Sequence, residues 1–380
     1  MSIRVGIIGA GVVAQNHLKA LQAQSEISVV GIADKAAERA VQLAQDFGTR
    51  SFDGPEALLS ESKPDYVLVC TPHYLHMPIA MAAMRQGVHA LVEKPMAVLA
   101  SDVDAAIQVS RNTGCLLGVS YNMRPRPERQ KMMELIRSGF LGRLIRVTLV
   151  DTEWFRTMSY YRSSPWRATW KGEGGGILVN QAPHDLDLLI GAVGLPCAVQ
   201  AWLAATGHAI EVDDTLCAIL RWPDGAVGTV HVNTNEYPGH AFLELVGTKG
   251  NLRLEQNRLT ALSLTVDARE FSDTVADAKS RPGLNPPTVY ELPPGPNRYL
   301  LMHQNFVEAF VHKRPLFCPA EEGLKEVELA NALMIAGITQ RPVTLPVDRL
   351  TADAVLDALC QTPNIEAVQR QFGAPGPNAG

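Results

Sequence analysis

The sequence predicts an α/β chain of two domains: a doubly wound parallel sheet first, then an α+β domain with a mostly antiparallel sheet. Three observations predict it. Short apolar runs alternate with helical periods as far as Ser120. A glycine turn, Gly9-Ala10-Gly11, joins the first run to the first helical period. After Met123 the grain changes to longer segments of alternating polarity, divided by turn signals. A length of 380 residues suits two domains better than one.

Taken in order, Ile3–Ile8 is an apolar run of the kind buried on both faces of a parallel sheet. Val12–Ala23 has helical spacing. Ile27–Ala33 is the second strand, and Ala36–Phe47 the second helix, stopped by Gly48. Asp65–Cys70 is a third strand, closed by Thr71-Pro72. Leu75–Gln86 is helical, Val88–Val92 extended, Ser101–Asn112 helical with Ser101 as its cap, and Cys115–Ser120 extended. Repeated βα units of this kind imply right-handed crossovers and a parallel sheet. Beyond a helix at Arg126–Ser138 come strands at Arg143–Thr152, Ala198–Ala205, Asp213–Trp222, Ala226–Asn235, Ala241–Val246 and Asn251–Glu255. Residues 281–297 are proline-rich and read as a long loop. Helices return at Tyr299–His312 and Glu321–Gly337. The expected division is residues 1–122, residues 123–365, and a flexible tail at 366–380.

Bulk properties exclude several classes. The net charge is −5, with no run of five like charges, so no basic face is offered to nucleic acid or an anionic membrane. No stretch of 18 apolar residues is present. The N-terminus enters a strand at once, without the pattern of a secretory signal, and a cytoplasmic location is expected. Cys70, Cys115, Cys197, Cys217, Cys318 and Cys360 are scattered and read as buried free thiols, with no metal site.

Gly9-Ala10-Gly11-Val12-Val13-Ala14 is a GxGxxA turn between strand and helix. Gly9 allows the turn, Gly11 lets backbone approach a pyrophosphate, and Ala14 lets helix and strand pack closely. The helix start, with Val12 and Val13, offers free N–H groups to phosphate. Asp34 ends the second strand, where a carboxylate accepts ribose hydroxyls and repels a 2′-phosphate. That favours NAD over NADP, although Lys35 and Arg39 lie close by.

Lys94, in Glu93-Lys94-Pro95, lies past the carboxyl end of a strand, the edge where such sheets bind ligands; the same spacing also fits a surface lysine. Its bond to Pro95 is a candidate for the cis form. After Gly174-Gly175-Gly176, Asn180 and His184 are four apart and share a face if one helix starts near Ile177; Pro183 argues against that regularity. An imidazole suits removal of a carbinol proton near neutral pH. The segment Tyr160–Lys171 mixes aromatics with cations, as a sugar site does. Tyr161, Trp166, Arg167 and Trp170 are its candidate substrate residues, with Arg124 from the end of the first domain. A loop packed by its own aromatics would have the same composition.

The glycine turn, Thr71-Pro72 with His76, Glu93-Lys94-Pro95, and the three glycines with Asn180 and His184 resemble, in order, the glucose–fructose oxidoreductase / inositol dehydrogenase / MocA family. The resemblance runs from about residue 3 to 346. It includes Asp213-Asp214-Thr215, the turn Glu244–Gly250 and Glu321-Glu322-Gly323. It implies a Rossmann domain, an active site between the domains, and a homodimer or homotetramer built through an open C-terminal sheet. It implies cofactor contacts at Gly9, Gly11, Val12, Val13, Asp34, Thr71, Pro72, His76, Glu93 and Lys94. It implies catalysis by Lys94 and His184, with Asn180 and His184 also touching substrate. Many members carry Asp where this chain has Asn180, which cannot relay a proton. The implied activity is NAD-dependent hydride transfer at a secondary carbinol of a sugar, glycoside or cyclitol. Two alternatives use the same residues: an NAD-retaining glycosidase working through a transient 3-keto sugar, and a non-catalytic NAD-binding regulator.

Overall fold

The computed structural model describes residues 2–22 and 24–373. The chain forms two compact units. One comprises Met1–Pro125, Gly172–Gly174 and Pro296–Val327; the other comprises Arg126–Lys171, Gly175–Gly295 and Glu328–Gly380.

Six strands form the sheet of the first unit: β1 (Ile3–Ile8), β2 (Ile27–Ala33), β3 (Ser51–Phe52), β4 (Tyr66–Val69), β5 (His89–Glu93) and β6 (Leu117–Ser120). Their order is β3-β2-β1-β4-β5-β6, and every pair is parallel. Alternate residues face two separate cores. Ile8, Val67, Val69 and Val92 pack with Met77 and Val103 on one side. Val5, Ile7, Leu68 and Leu91 pack with Leu18 and Phe306 on the other. Burial on both faces accounts for apolar runs without alternation. The strand order reverses between β1 and β4, so the loops after β1, β2, β4 and β5 emerge along one edge around the switch point.

The helix Arg298–His312 was expected in the second domain. It belongs to the first unit because Met302 and Phe306 bury themselves in the two cores of its sheet. The helix Ala100–Thr113 is capped by Leu99, whose backbone is extended, and not by Ser101, which lies inside the helix. The helix after β1 spans Val12–Leu21, and Ala23 lies outside the described residues.

The second sheet has nine strands among the described residues. They are β7 (Leu144–Asp151), β8 (Ala198–Ala204), β9 (Thr215–Arg221), β10 (Val227–Asn233), β11 (Ala241–Gly247), β12 (Gly250–Glu255), β13 (Arg258–Ser263), β14 (Thr288–Tyr290) and β15 (Val343–Thr344). The order is β14-β13-β12-β11-β7-β10-β9-β8-β15, antiparallel throughout except for β10 on β7. One face is buried and the other open, as strict alternation in β8 and β9 requires. β14 pairs with β13, so the proline-rich stretch is partly extended sheet. The expected flexible tail is helical over Ile365–Phe372, capped by the Asn364 side chain, while residues 374–380 lie outside the described residues. The cysteines carry free thiols, and Cys217 is exposed because it sits on the open face. No described helix is long and apolar enough to cross a membrane.

Candidate functional site

In the first unit the site is built from four loop starts. Gly9 adopts φ +103, a conformation open to glycine, and its N–H donates to the Ala33 carbonyl at 2.7 Å. A Cβ there would press on the Cys70 carbonyl. Gly11 caps the helix Val12–Leu21 with no side-chain bond, and the first turn holds no acid. A Cβ on Gly11 would meet no atom within 4 Å, and Val12 is 79% exposed. The helix thus presents uncapped N–H groups and a positive dipole end to open space. Asp34 closes the turn: one oxygen accepts the Ala10 N–H at 2.7 Å, the other the Ala36 N–H at 2.8 Å. After β4, the Thr71 hydroxyl is buried without a hydrogen-bond partner. Open room at Gly11, a bare helix start and an orphaned hydroxyl on one sheet edge fit a dinucleotide.

Lys94 follows β5, and its bond to Pro95 is cis. His76 is buried, its ring nitrogens 2.8 Å from the carbonyls of Thr71 and Pro95. It therefore ties the Thr71 loop to the Lys94 loop and does not reach out to a ligand. Burial lowers its pKa, against the pull of the two carbonyls and of Glu93. Glu93 is also buried rather than ligand-facing. Its carboxylate meets His17 Nε2 at 2.8 Å and accepts the Lys94 N–H at 3.2 Å. Burial pushes this carboxyl up, but His17 and Lys94 outweigh it and hold it below the usual value.

In the second unit, Asp213 shapes the three-glycine turn. Its carboxylate accepts the N–H groups of Gly176 at 2.8 Å and Leu178 at 3.1 Å, capping the short helix Ile177–Asn180. Burial raises the Asp213 pKa, although those two N–H groups act against it. A second helix, Pro183–Val193, starts at Pro183. Asn180 and His184 are therefore on two helices and not one face of a regular helix, because proline has no N–H to continue the first. Three N–H donors converge on the Tyr160 phenol oxygen: Arg167 at 2.7 Å, Gln181 at 3.1 Å and Asn180 at 3.2 Å. The guanidinium groups of Arg156 and Arg167 lie 4.7 and 4.4 Å from the Tyr160 ring centre. Trp166 stacks on Arg167 at 4.8 Å, and the half-buried His184 lends its carbonyl to Arg129 at 2.9 Å.

Residues 3–121 match the family described as the GFO/IDH/MocA oxidoreductase family, NAD-binding Rossmann fold, and residues 129–253 match the GFO/IDH/MocA C-terminal domain. The chain belongs to this family. Among relatives of this oxidoreductase, the 1,5-anhydro-D-fructose reductase of Ensifer adhaerens is 27% identical over 293 residues, 76% of this chain and 85% of that one. The myo-inositol 2-dehydrogenase of Thermotoga maritima is 24% identical over 274 residues, 69% of this chain and 78% of that one. The structure of the WlbA dehydrogenase from Bordetella pertussis, in complex with NADH and UDP-GlcNAcA, superimposes with a TM-score of 0.78 at 26% identity. That match covers 92% of this chain and 100% of the other.

Three expected substrate residues of this oxidoreductase serve its own packing. Trp170 is fully buried and donates its indole N–H to the Glu211 carbonyl at 2.8 Å. Tyr161 is buried, its hydroxyl 2.7 Å from that of Thr234. Arg124 is held by the Phe317 carbonyl at 2.7 Å and by Glu322 at 3.2 Å. Two residues of this arrangement stood outside the expected set, Tyr160 and His17. Tyr160 and Tyr161 share the short helix Met158–Tyr161, where adjacent side chains diverge by about 100°, and sequence does not say which one turns inward. His17 had a signal: it stands with Ala14, Leu18 and Leu21 on the core stripe of its helix.

Proposed function

We propose that this chain is an NAD-dependent dehydrogenase or reductase acting on a secondary carbinol of a sugar, glycoside or cyclitol. The observation that carries the reading is the open, uncapped glycine turn beside the orphaned Thr71 hydroxyl, on the same sheet edge as Lys94. The substrates named for the relatives, an anhydro sugar and an inositol, support a cyclic polyol.

Gly11 and the N–H groups of Val12 and Val13 would hold the pyrophosphate, and Asp34 the adenosine ribose. The Asp34 carboxylate favours NAD over NADP. NAD, when bound, accepts or supplies the hydride. Lys94 donates a hydrogen bond to the carbinol oxygen and steadies negative charge there. The His184 imidazole serves as proton acceptor in oxidation and as proton donor in reduction. Asn180, an amide, orients a substrate oxygen without carrying a proton. Arg167 contributes N–H donors to substrate hydroxyl oxygens, and Trp166 an apolar face. Trp202 and Ile219, each 52% exposed on the open face of the second sheet, support self-association through that face.

A panel of pyranoses, glycosides, inositols and acyclic alcohols, offered with NAD and NADP, tests the reading by absorbance of the reduced nicotinamide. Cyclic polyols with NAD should turn over. Replacing Lys94 with Ala should abolish turnover while NAD affinity stays within about threefold. Activity on acyclic alcohols alone, or full activity of K94A, would overturn it.

A further inference from the structure

We infer that Tyr66, His303, His17 and Glu93 form a buried hydrogen-bonded chain that positions Lys94. All four side chains are buried, and they come from four elements: the start of β4, the helix Arg298–His312, the helix Val12–Leu21 and the end of β5. The Tyr66 hydroxyl lies 2.8 Å from His303 Nδ1. His303 Nε2 lies 2.9 Å from His17 Nδ1. His17 Nε2 lies 2.8 Å from Glu93 Oε1, and Glu93 Oε2 accepts the Lys94 N–H at 3.2 Å.

The donors can run in one direction only when Glu93 is ionised. A carboxylate accepts, so His17 donates from Nε2 and, when neutral, accepts at Nδ1. His303 then donates from Nε2 and accepts at Nδ1, leaving the Tyr66 O–H as the last donor. Every polar atom has one role and none is left over. The neighbouring pKa directions agree. Burial, with the Asp65 charge, holds the Tyr66 proton on, and burial above all keeps His303 neutral. The titratable groups that feel Glu93 are His17, Lys94, Cys70 and His76. The Tyr299 ring packs edge-on against His17.

Burying four polar side chains adds little net stability, since each hydrogen bond replaces one to water. What the chain does achieve is register. It fixes the helix that starts at the glycine turn against the strand that Lys94 follows, and keeps a negative charge one residue before the ammonium. These are positioning residues; Lys94 is the group they act through. The role of Lys94 in turnover rests on the oxidoreductase reading, but the positioning can be read without substrate.

The test is titration of Lys94 in 13C-methylated protein by NMR, its resonance assigned with Lys94→Arg. In Glu93→Gln and His303→Leu the Lys94 midpoint should fall by roughly half a pH unit or more, since the nearby negative charge is removed or displaced. His303→Gln should restore it, because its amide oxygen accepts from Tyr66 and its N–H donates to His17. Tyr66→Phe, which keeps the packing, should give a smaller shift in the same direction and stands in if His303→Leu does not fold. No shift in Glu93→Gln and Tyr66→Phe, or no rescue by His303→Gln, overturns the proposal. A shift in a protein that oxidises no cyclic polyol would instead leave the chain standing and remove the carbinol reading.

Discussion

The chain has two glycine turns that look alike in sequence and differ in what fills them. At Gly9-Ala10-Gly11, a Cβ on the first glycine would press on the Cys70 carbonyl, while a Cβ on Gly11 meets nothing within 4 Å. At Gly174-Gly175-Gly176, φ is +86 and +149 at the first two glycines, and a Cβ on Gly176 would collide with the Asp213 carbonyl oxygen. The first turn leaves room that the protein does not use; the second is closed by the protein itself. Glycine marks a close approach in both, and only structure says whether a ligand or the chain makes it.

The largest contrast should come from alanine at the two positions. Gly176→Ala forces the turn away from Asp213 and breaks the cap on the helix Ile177–Asn180. We expect a loss of about 4 kcal/mol or more, read as a large drop in Tm or as insoluble protein. A Tm near that of the parent would mean the second turn is as open as the first.

Gly11→Ala should do the opposite. With no protein atom to displace, stability should change by less than about 1 kcal/mol. NADH affinity should fall at least about tenfold in a fluorescence titration, because the methyl occupies the room meant for pyrophosphate. Unchanged affinity would show that the space at Gly11 is ordinary surface.

The contrast also marks what sequence can tell. The parallel strands β1, β2, β4, β5 and β6 were legible, because burial on both faces leaves apolar runs, whereas the two-residue β3 was not and its pairing shows only in the fold. Asp34, Lys94 and the cis bond before Pro95 follow from strand ends. The substrate segment was less legible. Tyr161, Trp170 and Arg124 have the chemistry of a sugar site, yet Thr234, Glu211 and Glu322 occupy them through contacts distant in sequence. Helix breaks at Pro183 and the transfer of Arg298–His312 to the first unit likewise depend on tertiary packing.

Closure of the second unit on its own polar groups extends to acids. Asp151, at the end of β7, has its pKa raised to about 9 by burial and by the charge and hydrogen bond of Asp185. The folded chain therefore holds a proton that the unfolded chain releases near pH 4. The stabilisation from that proton is whole below pH 4, declines as pH rises, and is gone past about 9. The stability difference between Asp151→Asn and the parent should move in favour of the variant by roughly 4 kcal/mol from pH 5 to pH 8 in chemical denaturation, about 1.4 kcal/mol for each pH unit. A pH-independent difference would show that no proton is shared there.

The finest test separates the adjacent tyrosines. Tyr161→Phe removes the hydroxyl that meets Thr234, in a place where burial already raises the phenol to about 12. The ring still packs, so stability should fall by about 1 kcal/mol, the worth of one buried hydrogen bond. kcat/KM should stay within about twofold, since the hydroxyl faces the sheet and not a substrate. Tyr160→Phe should reverse the pattern. Its oxygen gathers the Arg167, Gln181 and Asn180 donors, so its loss takes one hydrogen bond from each of them. KM should rise, because three donors of the segment placed against substrate lose their shared acceptor. Equal kinetic damage from both variants would mean that the loop acts as one packed unit, and that closure in this half of the molecule reaches as far as the site itself.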